Sequence, residues 1–189
     1  MSKVIIINGA SGAGKSFLLE KTSDEENMVP IRKYTTRKPR TYEDMGSKDL
    51  YLACTEEQIE ECDYKYEFRN ELYGIKKEDI DDVIKQNKSP IVIIRDYPTI
   101  MTMKEDYKKT VTIYVQGAYS GVDLKEILLE QGRKVEDIKE SLKRNKSNFK
   151  DYIKYLHEDV FDCMIVNYYD DTYMQQVKYF LQKSMEESL

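Results

Sequence analysis

Short apolar runs alternate along this chain with longer segments in which apolar residues recur every three or four positions. The runs KVIIIN (3–8), SPIVIIRD (89–96), TVTIYVQG (110–117) and CMIVN (163–167) are brief and rich in β-branched residues. That pattern predicts strands buried on both faces, as in a parallel sheet. Residues 16–21, 77–87, 98–109, 121–132 and 171–188 read as helices, and the longest helical pattern covers 135–158. Its expected apolar stripe is Val135, Ile138, Leu142, Phe149, Ile153 and Leu156. Strand alternating with helix implies right-handed crossovers and a doubly wound α/β sheet. Residues 33–75 break the rhythm with short strands around one short helix, which predicts a small β-rich insertion perched on that sheet.

Composition narrows the function classes. A chain of 189 residues with 40% hydrophobic and 34% charged residues is expected to be one domain with a sizeable core. Its net charge of −5 argues against a dedicated nucleic-acid binder, yet leaves room for a local basic pocket that holds a small phosphorylated molecule. Three scattered cysteines make neither a disulfide framework nor a zinc pattern, which fits a reducing compartment. The apolar run before Asn8 is too short for a signal peptide, and no segment approaches the roughly 20 apolar residues of a membrane-spanning helix. A cytoplasmic protein, monomeric or homodimeric, is expected.

The first specific chemistry is GASGAGKS, which runs from the end of the first predicted strand into a helix. It matches G-x-x-x-x-G-K-[ST], the phosphate-binding P-loop. Gly9, Ala10, Ser11, Gly12, Ala13 and Gly14 supply a backbone that can fold closely around phosphate oxygens, with N–H groups and a helix N-terminus as positive potential. Lys15 is placed to bridge the β- and γ-phosphates of a triphosphate, and the Ser16 hydroxyl to ligate Mg²⁺. A turn that binds nothing has no need of Lys15 and Ser16 after the last glycine.

A second anion site is suggested by RKYTTRKPRTYE, which packs five cationic side chains into residues 32–40. Pro39 biases Lys38 toward extended or turn geometry, so Arg37 and Arg40 sit on a connection where guanidinium forks can converge on a phosphate. Here the residues resemble a known family. TTRKPRTYE is similar to the TTRxPRxxE signature of guanylate kinases, which transfer the γ-phosphoryl of ATP to GMP. The resemblance implies that Arg37 and Arg40 grip the acceptor phosphate, with Glu43 in the same site. KYEF…LYG resembles the stretch in which a Glu reads guanine and a Tyr contacts phosphate, which implicates Glu67 and Tyr73. IVIIRD resembles the strand that ends in an Asp near acceptor and metal, here Asp96. EQGRKVEDIKESLKRN resembles the lid, over about 129–145, with Arg133 contacting phosphate, and CMIVN the late strand whose Asn, here Asn167, lies near adenine.

Some positions depart from the family pattern. Lys33 and Ile75 stand where it has serines near the base, and its G-K-D-Y tyrosine falls on Leu50 or, with one extra residue, on Tyr51. Ile94 replaces an upstream Asp, and Ser141 an arginine for which Arg144, about one turn on, is the nearest substitute. The phosphate-gripping residues are kept while the base-reading ones drift. The resemblance implies a P-loop NTPase-type sheet with a core of 1–32 and 76–189, an acceptor-binding insertion over about 33–75 and a short helical lid. Catalytic roles fall on Lys15, Arg37, Arg133 and Arg144; Lys33 and Tyr51 join the acceptor residues. The expected reaction is ATP- and Mg²⁺-dependent phosphoryl transfer to a nucleoside monophosphate, GMP or dGMP first. A same-fold kinase for another phosphorylated small molecule, and a binding module without catalysis, remain as alternatives.

Overall fold

The computed structural model describes residues 2–22, 27–39, 47–118, 124–130 and 134–186. The first strand, β1 (Val4–Gly9), enters helix α1 (Lys15–Thr22) through the glycine-rich turn. Next come β2 (Met28–Pro30), β3 (Lys33–Thr35), β4 (Leu50–Tyr51), α2 (Glu56–Glu60), β5 (Tyr64–Phe68), β6 (Glu71–Ile75) and α3 (Lys77–Lys85). The remainder is β7 (Ser89–Ile93), α4 (Tyr97–Asp106), β8 (Thr110–Gly117), α5 (Leu124–Glu130), α6 (Val135–Leu156), β9 (Cys163–Asn167) and α7 (Thr172–Glu186).

One sheet has the order β2-β7-β1-β8-β9 and the other β4-β3-β6-β5. The first is the parallel sheet expected from the apolar runs: β7 is buried at every position, and β2/β7 and β8/β9 pair in parallel. Its strand order reverses direction at β1, the kind of switch point at which open α/β sheets bind ligands beyond the strands' carboxyl ends. The sequence pattern missed β2. Three residues ending in Pro30 show no alternation, and Pro is tolerated because β2 lies at the sheet edge.

By contact density the chain divides into two compact units, residues 1–6 with 19–110 and residues 7–18 with 111–189. In the first, the strands between residues 33 and 75 form the second sheet. Side chains alternate across it. Tyr64 and Tyr66 on β5 are buried while Lys65 and Glu67 are exposed. On the face opposite the tyrosines, α2 lies against β6 at Gly74, where a Cβ would come within 2.6 Å of Cys62 Sγ. Helix α2 starts with a capping box, Thr55 and Gln58 each bonding the other's backbone N–H.

In the second unit, α5 and α6 meet through Leu124, Leu128, Ile138 and Leu142. The buried line of α6 is rotated from the expected stripe. Ile138, Ser141 and Tyr152 are interior, whereas Val135, Ile153 and Leu156 are exposed by 47%, 42% and 42%. The cause is aromatic packing. Tyr152 reaches Tyr114 (centroids 4.5 Å apart) and Phe161 (5.7 Å), so the ring displaces its neighbour Ile153 from the core. The Phe149 side chain lies outside the described residues.

Candidate active site

The phosphate loop is built within the second unit. Gly9, Gly12 and Gly14 adopt φ of 136°, 79° and 92°, conformations that side-chain-bearing residues rarely reach. At Gly14 a Cβ would also overlap the Asn167 side-chain amide. Three side chains from beyond β8 hold the loop carbonyls. Asn167 Nδ2 donates to Ala13 O (3.1 Å), Tyr169 Oη to Gly12 O (2.9 Å) and Tyr173 Oη to Gly14 O (3.2 Å). With its carbonyls engaged from behind, the loop keeps the peptide orientation in which N–H groups can face an anion. Ala10, Ser11 and Ala13 are buried, the Lys15 ammonium donates to the Ala10 carbonyl, and Ser16 is exposed on the first turn of α1.

Asn167, which the resemblance sets near adenine, is engaged with the loop itself. It is 4% exposed, and its Oδ1 accepts from the Tyr169 N–H at 2.8 Å, so both ends of the carboxamide bond protein backbone. Burial raises the Tyr173 hydroxyl's pKa, which keeps it a neutral donor to the loop. Neither Tyr169 nor Tyr173 was singled out in the sequence. The cue available was their position shortly after Asn167, in a chain of sixteen tyrosines.

Of the expected acceptor residues, Lys33, Tyr51, Glu67 and Tyr73 lie in the first unit on the second sheet, which sorts them onto two faces. In register, Thr35 opposes Tyr73 and Tyr73 opposes Tyr66. The rings of Tyr66 and Tyr73 stack with centroids 5.2 Å apart and planes within 6°. Lys33, two residues before Thr35, shares this face. It is 3% exposed and pairs with Asp49. Burial lowers the Lys33 pKa, Asp49 counters that, and the charges of Arg95 and Arg37 lower it further. Burial likewise pushes the Tyr66 hydroxyl well up, with Tyr73, Asp49 and Asp96 adding to the rise and Arg95 opposing it. Arg95 lies 4.9 Å over the Phe68 ring. Asp96 is the N-cap of α4, its Oδ2 accepting from Thr99 N (2.9 Å) and Thr99 Oγ1 (2.7 Å). Lys33, Asp49, Tyr66, Tyr73, Arg37, Arg95 and Asp96 thus form one neighbourhood, which the sequence indicated only in part: Asp49, Tyr66 and Arg95 were missed.

Glu67 and Tyr51 are not brought to this face. Glu67 opposes Leu72, one step out of phase with the Tyr66–Tyr73 pair, and is exposed. Tyr51 opposes Tyr34 and is 40% exposed; its ring meets Tyr34 at 4.8 Å and Arg32 at 5.2 Å. A one-residue phase difference puts a side chain on the other side of a sheet, a distinction that motif matching does not make. Ile75 is fully buried, and Arg37 donates to the Lys38 carbonyl at 3.3 Å. Arg40, Glu43 and Arg133 lie outside the described residues, as does the side chain of Arg144, whose backbone belongs to α6. Ser141, at the position of the missing lid arginine, is buried.

A strand, a loop with three positive-φ glycines, a lysine and serine opening a helix, and a strand order that reverses at this point define a P-loop NTPase-type fold. The comparisons narrow it. The guanylate kinase family model matches residues 1–184. The guanylate kinase of Porphyromonas gingivalis is 29% identical over 188 residues, covering 94% of this chain and 95% of the relative. That of Thermotoga maritima is 30% identical over 173 residues, covering 87% and 79%. Among solved structures, guanylate kinase from Anaplasma phagocytophilum superposes with a TM-score of 0.66 at 19% identity, covering 99% of this chain and 88% of that one, a likeness of fold. The chain belongs to the guanylate kinase family, and with it to the nucleoside monophosphate kinases. Among the described residues no helix is long and apolar enough to cross a membrane.

Proposed function

We propose that the chain transfers the γ-phosphoryl group of ATP to the phosphate of a nucleoside monophosphate, with GMP or dGMP the first acceptor to test. The observation that carries the donor half is the loop whose carbonyls are held from behind by Asn167, Tyr169 and Tyr173. Such a loop is pre-organised, so little reorganisation is spent when a triphosphate binds. Lys15 would leave the Ala10 carbonyl for the phosphates, and Ser16 offers an exposed hydroxyl oxygen, a hard donor that suits Mg²⁺. When bound, Mg²⁺ would neutralise phosphate charge. Arg37, with Arg40, would hold the acceptor phosphate, Tyr73 would add a hydroxyl, and Arg133 with Arg144 would cover the transferring group and exclude water. Phosphoryl transfer asks for positioning and charge neutralisation rather than a general base, which fits a site with no histidine.

The test is a coupled ADP-release assay over mononucleotides, deoxymononucleotides and ribose phosphates, repeated with Arg37→Ala. Acceptor KM should rise roughly tenfold to a hundredfold, the worth of a charge-assisted hydrogen bond, with ATP KM little changed. Equal losses toward both substrates would remove Arg37 from the acceptor site. A second reading, a kinase of the same fold for another phosphorylated small molecule, draws support from the exposure of Glu67 away from the Tyr73 face.

A further inference from the structure

The face that carries Tyr66 and Tyr73 is built from two strands and the start of a helix, which must keep a fixed relation if an acceptor is to meet them together. We infer that Asp106, at the C-terminal end of α4, is a positioning residue for that face: it receives Tyr64 from β5 and Lys77 from the first turn of α3, and through them sets acceptor affinity without touching the acceptor. This deepens the proposed phosphoryl transfer and rests on it only for which face the acceptor occupies.

The first support is the geometry of the tie. Tyr64 Oη donates to Asp106 Oδ2 at 2.7 Å, and Lys77 Nζ donates to the same oxygen at 3.0 Å. Neighbouring residues reinforce the junction. Tyr107 Oη donates to Asp81 Oδ1 on α3 at 2.8 Å, and the Lys77 backbone N–H to Asp63 Oδ2 at 2.7 Å. The Tyr64 ring is buried, whereas the carboxylate it reaches is exposed. Burial, followed by the bond to Asp106, raises the Tyr64 hydroxyl's pKa, so it remains a donor.

The second support is what the tie holds. Tyr64 pairs with Ile75 at one end of the β5/β6 ladder, and Tyr66 pairs with Tyr73 two steps along it, on the same face. β5 is tied through Tyr64 itself, and β6 through Lys77, two residues beyond its last residue, Ile75. Both strands that carry the stacked tyrosines therefore converge on one carboxylate oxygen.

The third is the helix between the tie and the acceptor residues. From its N-cap, Asp96, to Asp106, α4 is about 15 Å long at 1.5 Å per residue, and it packs against β5. At its start, the charges of Arg95 and Asp96 act on the Tyr66 hydroxyl; at its end, Asp106 holds the strand on which Tyr66 sits. A shift of β5 against Asp106 thus changes the spacing of Tyr66 from Arg95 and Asp96. Loosening the tie leaves each acceptor contact available but lowers the fraction of molecules in which the contacts coincide, and the apparent Kd rises by the inverse of that fraction. Ties to an exposed carboxylate are individually weak, so the expected loss is about threefold to tenfold for each.

The experiment measures acceptor and ATP binding by calorimetry, turnover and Tm in wild type, Tyr64→Phe, Lys77→Met, the double variant and Asp106→Ala. The acceptor probe is whichever of GMP, AMP, CMP, UMP and ribose 5-phosphate the wild type binds most tightly. Each single variant should weaken that probe about threefold to tenfold, in KM rather than kcat, with ATP affinity within about twofold because the phosphate loop lies in the other unit. The double variant should match Asp106→Ala within about twofold, since both remove the same tie. Unchanged probe affinity in folded Tyr64→Phe and Lys77→Met overturns the inference. So does an equal loss toward probe and ATP accompanied by a lower Tm, the outcome of a general destabilisation. Should Tyr64→Phe fail to fold, Lys77→Met and Asp106→Asn, both changes at exposed side chains, decide by the same criteria. Binding is read without turnover, so a wild type that binds a probe but transfers nothing would defeat the proposed function while still deciding the role of Asp106. A wild type that binds none of the five overturns both.

Discussion

Replacing Asn167 by Ala separates a residue that shapes the phosphate loop from one that touches adenine. The carboxamide donates to the Ala13 carbonyl at 3.1 Å and accepts from the Tyr169 N–H at 2.8 Å. Truncation strands both. The Ala13 carbonyl lies in the interior, where an orphaned polar group costs about 1–3 kcal/mol, and the half-buried Tyr169 N–H costs less because water reaches it. The sum is about 2–4 kcal/mol. For a chain of this size that lowers Tm by about 5–15 °C. The loss should appear in the nucleotide-free protein, by scanning calorimetry, together with a raised KM for ATP. Asn167→Asp should fare no better, because it keeps an acceptor for Tyr169 but sets a carboxylate oxygen against the Ala13 carbonyl. A Tm within about 1 °C of wild type, with ATP affinity alone reduced, would show that Asn167 serves the ligand and that the bonds to the loop carry no weight.

Three further outcomes are expected. Lys15→Ala should abolish nearly all phosphoryl transfer in a coupled assay while the circular dichroism spectrum is unchanged; wild-type turnover in that variant would sink the kinase reading. Glu67→Gln should leave the kcat/KM ratios among GMP, AMP, CMP and UMP within about twofold, since the side chain is exposed on the face away from Tyr73. A collapse of guanine preference would return Glu67 to the site. Finally, burial raises the Cys62 thiol to about 11 and the Cys163 thiol to about 12, from an ordinary value of 9.0. The folded state therefore binds more protons than the unfolded one between about pH 9 and pH 12, so this contribution to stability is complete below pH 9 and declines as pH rises. Urea midpoints should fall over that window, by less in Cys62→Ala/Cys163→Ala, and equal slopes in the two proteins would contradict the assignment.

The parallel sheet was legible because burial on both faces leaves continuous β-branched runs: β8 and β9 coincide with the expected segments. The phosphate loop was legible because its chemistry is local, eight consecutive residues with a fixed spacing. What the sequence concealed depends on phase and on distance along the chain. Glu67 sits beside Tyr66 in sequence but across the sheet in space, and no local pattern says which of two adjacent residues faces a ligand. Asp49 reaches Lys33 from sixteen residues away, and Tyr169 reaches Gly12 from 157 away. The α6 stripe went astray for a similar reason: Tyr152 is drawn inward by Tyr114 and Phe161, partners from other elements.

The most direct measurement of the central claim is ³¹P NMR of the purified chain with ATP, Mg²⁺ and GMP. Phosphoryl transfer predicts that the ATP γ-resonance disappears as ADP and a β-phosphate on the acceptor appear in equal amounts, and that Lys15→Ala abolishes both. ADP accumulating with inorganic phosphate at a rate indifferent to GMP and every other acceptor in the panel would contradict it.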